Sequence, residues 1–161
     1  FQYQSIRNSF KSSELMSFKK IVQSLPNVGN CFENGLQALG NYSTKILPAN
    51  PRSCSGSVDL DNCFKVSQPQ ASRWDYIIGY NDESYFAEVH SASGQVSKGI
   101  EKTNWLRNWL KNEGEPVAKI HHNGKNFHWI PTNGVNIIGN QKALLAQNKI
   151  IIVNRLSLPY K

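Results

Sequence analysis

The strongest constraint on the fold is a pair of apolar segments separated by a short polar one. Residues 73–80 read Arg-Trp-Asp-Tyr-Ile-Ile-Gly-Tyr, residues 85–90 read Tyr-Phe-Ala-Glu-Val-His, and Asn-Asp-Glu-Ser lies between them. β-Branched and aromatic residues favour strands, and a polar turn of this length joins antiparallel neighbours. The sequence therefore predicts a β-hairpin.

The register of this hairpin decides which side chains share a face. If the tight turn is centred on Asp82-Glu83, then Asp75 lies opposite His90 and Ile77 lies opposite Glu88. Because side chains alternate between the two faces of a strand, Asp75, Glu88 and His90 then lie on one face. A turn longer or shorter by one residue would separate them.

Apolar periodicity predicts the other elements. Before the hairpin we expect amphipathic helices at 13–25 and from about 27 to 40, a loop at 47–56 and a short strand at 57–66. After it we expect a helix from Ser91 or Ser93 to about Asn112, strands at 116–122 and 126–131, a strand at 135–138, a helix at 141–147 and a strand at 149–156. This order predicts a single α/β (α+β) domain with one mixed β-sheet flanked by helices.

Charge is distributed unevenly along the chain. The 161 residues have a formal charge of +7, with eight basic and eight acidic residues up to residue 89 and ten basic and three acidic residues after it. Six of the eleven carboxylates lie within residues 59–88. This arrangement suits a metal-assisted site for a polyanion, in which carboxylates hold a divalent ion and Lys and Arg hold phosphates. Acidic loops and a charge that serves solubility are the alternative interpretation.

Composition excludes two classes of protein. Four Trp, six Tyr and seven Phe provide enough apolar surface for a core, which excludes a disordered polyelectrolyte. The longest aliphatic run, residues 150–153, is far shorter than the roughly 20 residues of a membrane span, so we expect no membrane partner. The three cysteines, Cys31, Cys54 and Cys63, leave one over in any disulfide scheme and favour a reducing, cytoplasmic compartment. A bridge between Cys54 and Cys63 is the alternative.

Asp75 and the tripeptide Glu88-Val89-His90 together resemble the motif of the PD-(D/E)xK nuclease superfamily. The core of that superfamily contains a helix, a β-hairpin that carries Asp and then (Asp/Glu)-x-Lys, a helix on the sheet, and a further strand. The resemblance covers about residues 27–120 and implies a restriction-endonuclease-like core. It also implies that Asp75 and Glu88 bind a metal ion.

The resemblance implies roles for a few further residues and also has two departures. Glu33 matches the helical acid that some members use as a metal ligand. His90 stands where the superfamily usually has Lys, and Trp74 stands where it has Pro. An imidazole accepts a proton or binds metal but contributes less fixed charge than an ammonium group. Lys102, or alternatively Lys98, on the following helix is therefore the candidate for the missing cation.

The leading hypothesis is a metal-dependent nuclease that hydrolyses phosphodiester bonds in DNA or RNA. Asp75, Glu88 and Glu33 are the expected ligands of Mg²⁺ or Mn²⁺, and His90 or Lys102 is expected to position or deprotonate the attacking water. The basic residues expected to bind nucleic acid are Lys98, Lys102, Arg107, Lys119 and Lys125. We expect an N-terminal helix in residues 1–26, the core in 27–120 and a basic C-terminal part in 121–161.

Two other functions remain open at this level. His121, His122 and His128 lie around a predicted turn, and His122 with His128 could act as the acid and base of a metal-independent ribonuclease or toxin domain. A non-catalytic module that binds nucleic acid or a protein partner, such as an inhibitor, would use the same cationic surface. Asp59 and Asp61 could ligate a metal ion, or they could lie at a solvated loop edge. Base stacking is the functional interpretation of Trp105, Trp109 and Trp129, and core packing is the alternative.

Overall fold

A six-stranded mixed β-sheet forms the centre of the molecule in the computed structural model, which describes residues 17–92 and 96–161. The strands are β1 Phe32–Glu33, β2 Ile46–Pro48, β3 Cys54–Asp59, β4 Tyr76–Tyr80, β5 Glu83–Val89, β6 Phe127–Ile130, β7 Ile150–Ile152 and β8 Leu156–Leu158. The sheet order is β1-β3-β4-β5-β6-β7, and β2 pairs with β8 in a separate parallel pair. The mixed α+β fold predicted from the sequence is confirmed, whereas the expectation of a single sheet is wrong, because β2 and β8 form a second, two-stranded sheet.

The α-helices of the described residues are α1 Phe18–Gln23, α2 Leu60–Phe64, α3 Val96–Lys111, α4 Glu115–Ala118 and α5 Gly139–Gln147. Short 3-10 helices lie at Gly29–Cys31, Gln37–Lys45, Pro51–Ser53 and His122–Gly124. The chain passes through α3 and α4 between the parallel strands β5 and β6, and through α5 between the parallel strands β6 and β7. Over the described ranges, none of these helices is both long and apolar enough to cross a bilayer.

Apolar side chains cover both faces of the sheet. One face packs against α1, α2 and α3, with Val58, Ile77, Phe86 and Phe127 at the centre of the cluster. The other face carries Ile78, Tyr85, Ala87, Val89 and Ile130, which pack with residues of β2 and β8. Trp129 joins a third cluster beneath α3 and α5. The hairpin strands β4 and β5 are thus buried on both sides, as their continuous apolar sequences require.

The helix predicted for residues 27–40 is wrong. The chain forms a 3-10 turn, the short strand β1 and a second 3-10 segment instead. Gly35 and Gly40 have φ angles of 52° and 53°, which a regular α-helix does not contain. The apolar residues of this segment are therefore spaced by turns rather than by helical repeats.

The strand predicted for residues 57–66 is correct only for residues 57–59. β3 ends at Asp59, whose carboxylate accepts a hydrogen bond from the Asn62 backbone N–H at 2.9 Å and so caps α2. Aspartate is among the best residues for this capping position, which explains why the chain turns into a helix there.

For the elements that follow α3, some predictions are confirmed and others are wrong. The predicted strand at 116–122 is the short helix α4 followed by a 3-10 turn, because Pro116 lies in the first turn, where its missing N–H is not needed. The predicted strand at 126–131 is confirmed as β6, but β6 is parallel to β5 rather than part of a hairpin. Residues 135–138 form no strand, whereas the helix at 141–147 is confirmed as α5.

The helices predicted at 13–25 and 91–112 correspond to α1 and α3, which the structure describes from Phe18 and from Val96. Ser17 caps α1, and the predicted start at Ser13 lies outside the described residues. Ser93, one of the two predicted caps of α3, also lies outside them, and Ser91 precedes the helix without being part of it.

A disulfide joins Cys31, next to β1, to Cys63 in α2, and leaves Cys54 as a free thiol. The alternative bridge between Cys54 and Cys63 is therefore wrong. Structural disulfides persist in oxidising compartments, so the Cys31–Cys63 disulfide no longer supports the expectation of a reducing one.

Candidate functional site

The turn of the central hairpin lies one residue earlier than predicted. Tyr80 pairs with Glu83, so Asn81 and Asp82 form the turn with φ angles of 50° and 57°. Both central residues of a type I′ turn need a positive φ, which Asn and Asp tolerate better than Glu. The expected pairing of Asp75 with His90 is therefore wrong.

Despite this shift, Asp75, Glu88 and His90 remain on one face of the sheet, as predicted. Moving the turn centre by one residue changes every cross-strand pair by two residues, an even number, so each side chain stays on its side of the sheet. Tyr76 pairs with Ala87, which places Asp75 next to Glu88 instead of His90. The two carboxylates therefore meet directly, as the hypothesis of a shared site requires.

Each carboxylate binds the backbone of the opposite strand. The Asp75 N–H donates to Glu88 Oε2 at 2.9 Å, and the Val89 N–H donates to Asp75 Oδ2 at 2.9 Å. These reciprocal hydrogen bonds fix one oxygen of each carboxylate. The other oxygens, Asp75 Oδ1 and Glu88 Oε1, both lie near the ammonium group of Lys102.

Lys102 reaches this position from the second turn of α3. Its Nζ donates to Glu88 Oε1 and lies 3.9 Å from Asp75 Oδ1. Gly99 brings the helix close to the sheet, because a Cβ at Gly99 would lie only 2.7 Å from the Trp129 ring. Lys102 is thus the candidate that the structure brings to the carboxylates, whereas Lys98 points its ammonium group to Ser72 and Glu101. We refer to Asp75, Glu88 and Lys102 as the acid–lysine cluster.

Burial makes the electrostatics of the acid–lysine cluster strong. The Glu88 side chain is 1% exposed, and those of Asp75 and Lys102 are 17% exposed. Burial, with a smaller contribution from the Glu88 charge, raises the pKa of Asp75 to about 8, against the opposing effect of Lys102. Burial by itself lowers the pKa of Lys102, but the two carboxylates outweigh it and the net shift is upward. A proton on Asp75 and a charged Lys102 therefore coexist near neutral pH.

His90 lies at the edge of this cluster. Its Nδ1 is 3.4 Å from Glu88 Oε1, although it is buried and makes no hydrogen bond. The imidazole stacks on the Trp129 indole with ring centres 5.1 Å apart, and Trp129 Nε1 donates to the His90 carbonyl at 3.0 Å. Trp129 thus holds both the ring and the backbone of His90, which is a supporting role that the sequence analysis did not assign to it.

The donor set of the cluster suits a hard divalent cation. Two carboxylate oxygens already face one cationic group, and Mg²⁺ commonly binds proteins through only one or two carboxylates and keeps several waters. Among the described side chains, no group of three or more His, Cys, Asp and Glu is arranged so that it could hold a metal ion. An ion here would therefore have Asp75 and Glu88 as its protein carboxylates and would complete its shell with water or substrate oxygens.

Glu33 lies away from this cluster. It is an exposed residue of β1, not of a helix, and it pairs with Ser57 on β3, which separates β1 from β4. It lines a separate polar groove with Asp59. Asp59 caps α2, and Asp61 forms an ion pair of 3.0 Å with Arg73. The expectation of a helical acid beside Asp75 is therefore wrong in this structure.

The basic residues expected to bind phosphates fall into two groups. Lys98, Lys119 and Lys125 are exposed. Arg107 instead donates to the backbone carbonyl of Asn148, the residue after α5. Its guanidinium lies 4.8 Å above the ring of Phe127. Burial lowers the pKa of Arg107. The fold therefore uses this guanidinium as an internal contact, whereas the three exposed lysines are open to a nucleic acid and Lys102, 17% exposed, faces the carboxylates.

The histidines of the rival hypothesis lie beneath the C-terminal residues. His128 is 3% exposed, and burial lowers its pKa to about 4. Its ring packs against that of Tyr160, whose carbonyl oxygen also lies 2.6 Å from Nε2 of His122. A buried, neutral imidazole cannot deliver a proton to a substrate in solvent, so this arrangement offers no support for an acid–base pair of His122 and His128.

The chain matches no protein-family model, and comparisons with curated proteins and with solved structures give no significant match. Function is therefore inferred from the chemistry of the acid–lysine cluster and its surroundings.

Proposed function

We propose that the protein is a metal-dependent nuclease of the PD-(D/E)xK type and that the acid–lysine cluster is its active site. The observation that carries the proposal is the convergence of Asp75 Oδ1 and Glu88 Oε1 on a single cationic group. Two buried carboxylates side by side repel each other and cost folding free energy unless a cation serves them. A site that keeps this cost is a candidate for chemistry rather than for stability.

The connectivity around the cluster supports the same proposal. An antiparallel hairpin that carries both acids is followed by α3 and then by the parallel strand β6. This is the succession of elements that the resemblance to the superfamily implies. Lys102 on α3 compensates for the departure at His90, since it supplies an ammonium group beside the same carboxylate.

The roles of the individual residues follow from their contacts. When bound, Mg²⁺ or Mn²⁺ would lower the pKa of a water molecule and stabilise charge on the scissile phosphate. Asp75 and Glu88 would hold the ion through the two oxygens that the backbone leaves free. Lys102 provides positive charge for a phosphate or its attacking water, and His90, with an unbonded Nδ1 next to Glu88, is placed to hold a proton at the edge of the site.

The test is cleavage of labelled DNA and RNA, single-stranded and duplex, in the presence of Mn²⁺ or Mg²⁺. We expect activity that EDTA abolishes and that Glu88→Gln lowers by about 100-fold or more, as loss of groups around a metal commonly does. The matched control is Glu83→Gln, since Glu83 lies on the same strand but at its far end and half exposed. Activity that survives EDTA and is lost in His122→Ala would contradict the proposal in favour of the metal-independent ribonuclease.

Ion binding gives a second readout that is independent of activity. Mn²⁺ should raise the melting temperature of the wild type, because a ligand at about 100 times its Kd adds about 2.7 kcal/mol to the free energy of unfolding. It should not do so for Asp75→Ala. Equal shifts in both proteins would exclude the cluster as the metal site, and salt-sensitive binding of nucleic acid without cleavage would favour a binding module.

A further inference from the structure

A polar groove lies beside the C-terminal half of α3, away from the acid–lysine cluster. It has a volume of about 320 Å³. Polar and aromatic side chains line most of it, from α3, from the residues just after its end and from the segment after α2: Ser67, Gln68, Trp105, Asn108, Asn112 and Glu113. We call it the Trp105 groove.

The chemistry of the Trp105 groove selects against phosphate and for a neutral, planar, polar group. Among the described residues that line it there is a carboxylate, Glu113, but no Lys, Arg or His. Asn and Gln side chains each offer a donor and an acceptor close together, which is the pattern that pairs with the edges of nucleobases. Indole rings provide the apolar surface on which bases stack.

Trp105 is the tryptophan best placed for such stacking. Its Nε1 donates to Gln68 at 2.8 Å, and it meets the ring of Phe64 edge-on with centres 5.4 Å apart. It remains partly exposed, whereas Trp109 and Trp129 are 5% and 1% exposed. Trp109 also lines the groove, and its indole N–H is buried without a hydrogen-bond partner. The aromatic wall is thus held rigidly by packing within the protein, and Trp105 is its partly exposed member.

Both walls of the groove continue to the acid–lysine cluster. Along α3, six residues separate Lys102 from Asn108, which is about 9 Å at 1.5 Å per residue. On the other wall, Arg73 donates from Nη1 to the Gln68 carbonyl at 2.6 Å, so the segment that leads to Asp75 is tied to the groove. A chain that enters at the cluster and follows α3 therefore reaches the Trp105 groove within a few nucleotides.

We propose that the Trp105 groove binds an unpaired nucleobase, and that the substrate of this protein is consequently a single-stranded nucleic acid. The position of the cut depends on the proposed nuclease function, but the binding of a base in the groove does not. A base in a duplex is paired and stacked, so neither its faces nor its Watson–Crick edge is free to enter such a groove. The exposed Lys98, near the cluster, would contact the backbone of the same strand.

The experiment measures binding separately from cleavage. Fluorescently labelled oligo(dA), alone or as a duplex with oligo(dT), is titrated with protein in EDTA, and anisotropy gives the Kd. The wild type should bind the single strand more tightly than the duplex. Trp105→Ala should weaken single-strand binding about tenfold or more, because stacking on an aromatic residue contributes that much per base.

Two further variants keep the test decisive. Since Trp105→Ala also removes packing against Phe64, the exposed Asn108→Ala provides an independent change in the groove and should weaken binding several-fold. Asn104→Ala is the matched control, since it lies on the same helix outside the groove and should leave Kd unchanged. Unaltered binding in both groove variants, or a duplex bound as tightly as the single strand, would overturn this inference whether or not the protein cleaves. Loss of binding in the groove variants with no cleavage by the wild type would overturn the nuclease instead.

Discussion

Replacing Lys102 by Met should destabilise the protein far more than replacing any exposed lysine of α3. Lys102 donates to a Glu88 carboxylate whose side chain is 1% exposed, and it lies 3.9 Å from Asp75. Methionine has a similar length and fits a helix, so the change removes the charge while leaving much of the packing. Glu88 would then keep the Asp75 backbone N–H as its hydrogen-bond donor, with the Asp75 carboxyl and the His90 ring nearby.

The magnitude follows from burial. Removing one partner of a buried ion pair commonly costs about 3–5 kcal/mol, because an uncompensated charge stays in a poorly polarisable environment. For a chain of this length, each kcal/mol lowers the melting temperature by about 2–4 °C, so a decrease of about 10 °C is expected. The protonation of Asp75 does not offset this loss, since the contact with Lys102 runs chiefly through Glu88.

Urea unfolding of four proteins provides the measurement: the wild type, Lys102→Met, Glu88→Gln and the double variant. Because the double variant leaves no unpaired charge from the pair, it should be more stable than the sum of the single losses implies, by about 2–3 kcal/mol. Lys98→Met is the matched control on the same helix. Its ion pair with Glu101 is 50% and 60% exposed, so it should change stability by less than about 1 kcal/mol. A coupling below about 0.5 kcal/mol would refute the buried cluster.

Three further perturbations test other parts of the structure. The pKa of Asp75 is about 8 in the folded state, against 3.8 for the free side chain, so the free energy of unfolding should fall as pH rises from about 4 to 8. Asp75→Asn should remove this decline. Parallel pH profiles of the two proteins in chemical unfolding would contradict the prediction. Reduction of the Cys31–Cys63 disulfide, which spans 32 residues, should lower the free energy of unfolding by about 4 kcal/mol, to the level of a Cys63→Ser variant that no longer responds to the reductant. Gly99→Ala should lower the free energy of unfolding by about 1–3 kcal/mol, because its Cβ would overlap an indole ring. Gly139→Ala in α5 has open space around it and should be neutral or stabilising. Equal melting temperatures for the two variants would mean that Gly99 does not set the distance between α3 and the sheet.

The parts of the fold that could be predicted are those specified by long local patterns. The hairpin strands are continuous runs of β-prone apolar residues, and the helix over 96–111 has apolar residues at the helical period, so both are identified. The helix over 139–147 is also identified, although its one buried residue is Leu145. Residues 27–40 could not be identified in this way, because two glycines with positive φ break the segment into turns that mimic a helical spacing. The Cys31–Cys63 disulfide, which bridges this segment to α2, depends on tertiary contacts that sequence spacing does not report.

The candidate site was predictable to the extent that strand alternation decides it. Asp75, Glu88 and His90 share a face under the observed register as under the predicted one, since the two differ by an even number of residues. The choice of Lys102 over Lys98 could not be made from spacing, because it depends on how closely α3 approaches the sheet at Gly99. Trp129 and the reciprocal backbone hydrogen bonds of the carboxylates were not identified, since neither leaves a periodic signal in the sequence.

The reciprocal hydrogen bonds explain how the fold tolerates two adjacent buried acids. Each carboxylate uses one oxygen to accept a backbone N–H from the opposite strand, so the pair reinforces the hairpin beyond its last ladder bonds while its other two oxygens remain directed at Lys102. A purely structural ion pair needs only one acid for one lysine. The second acid adds repulsion, and burial, with a smaller contribution from that repulsion, raises the pKa of Asp75 to about 8. A cation of charge +2 in the place of the ammonium group would favour loss of the Asp75 proton and balance both ionised carboxylates, and this is the physical reason to look for one there.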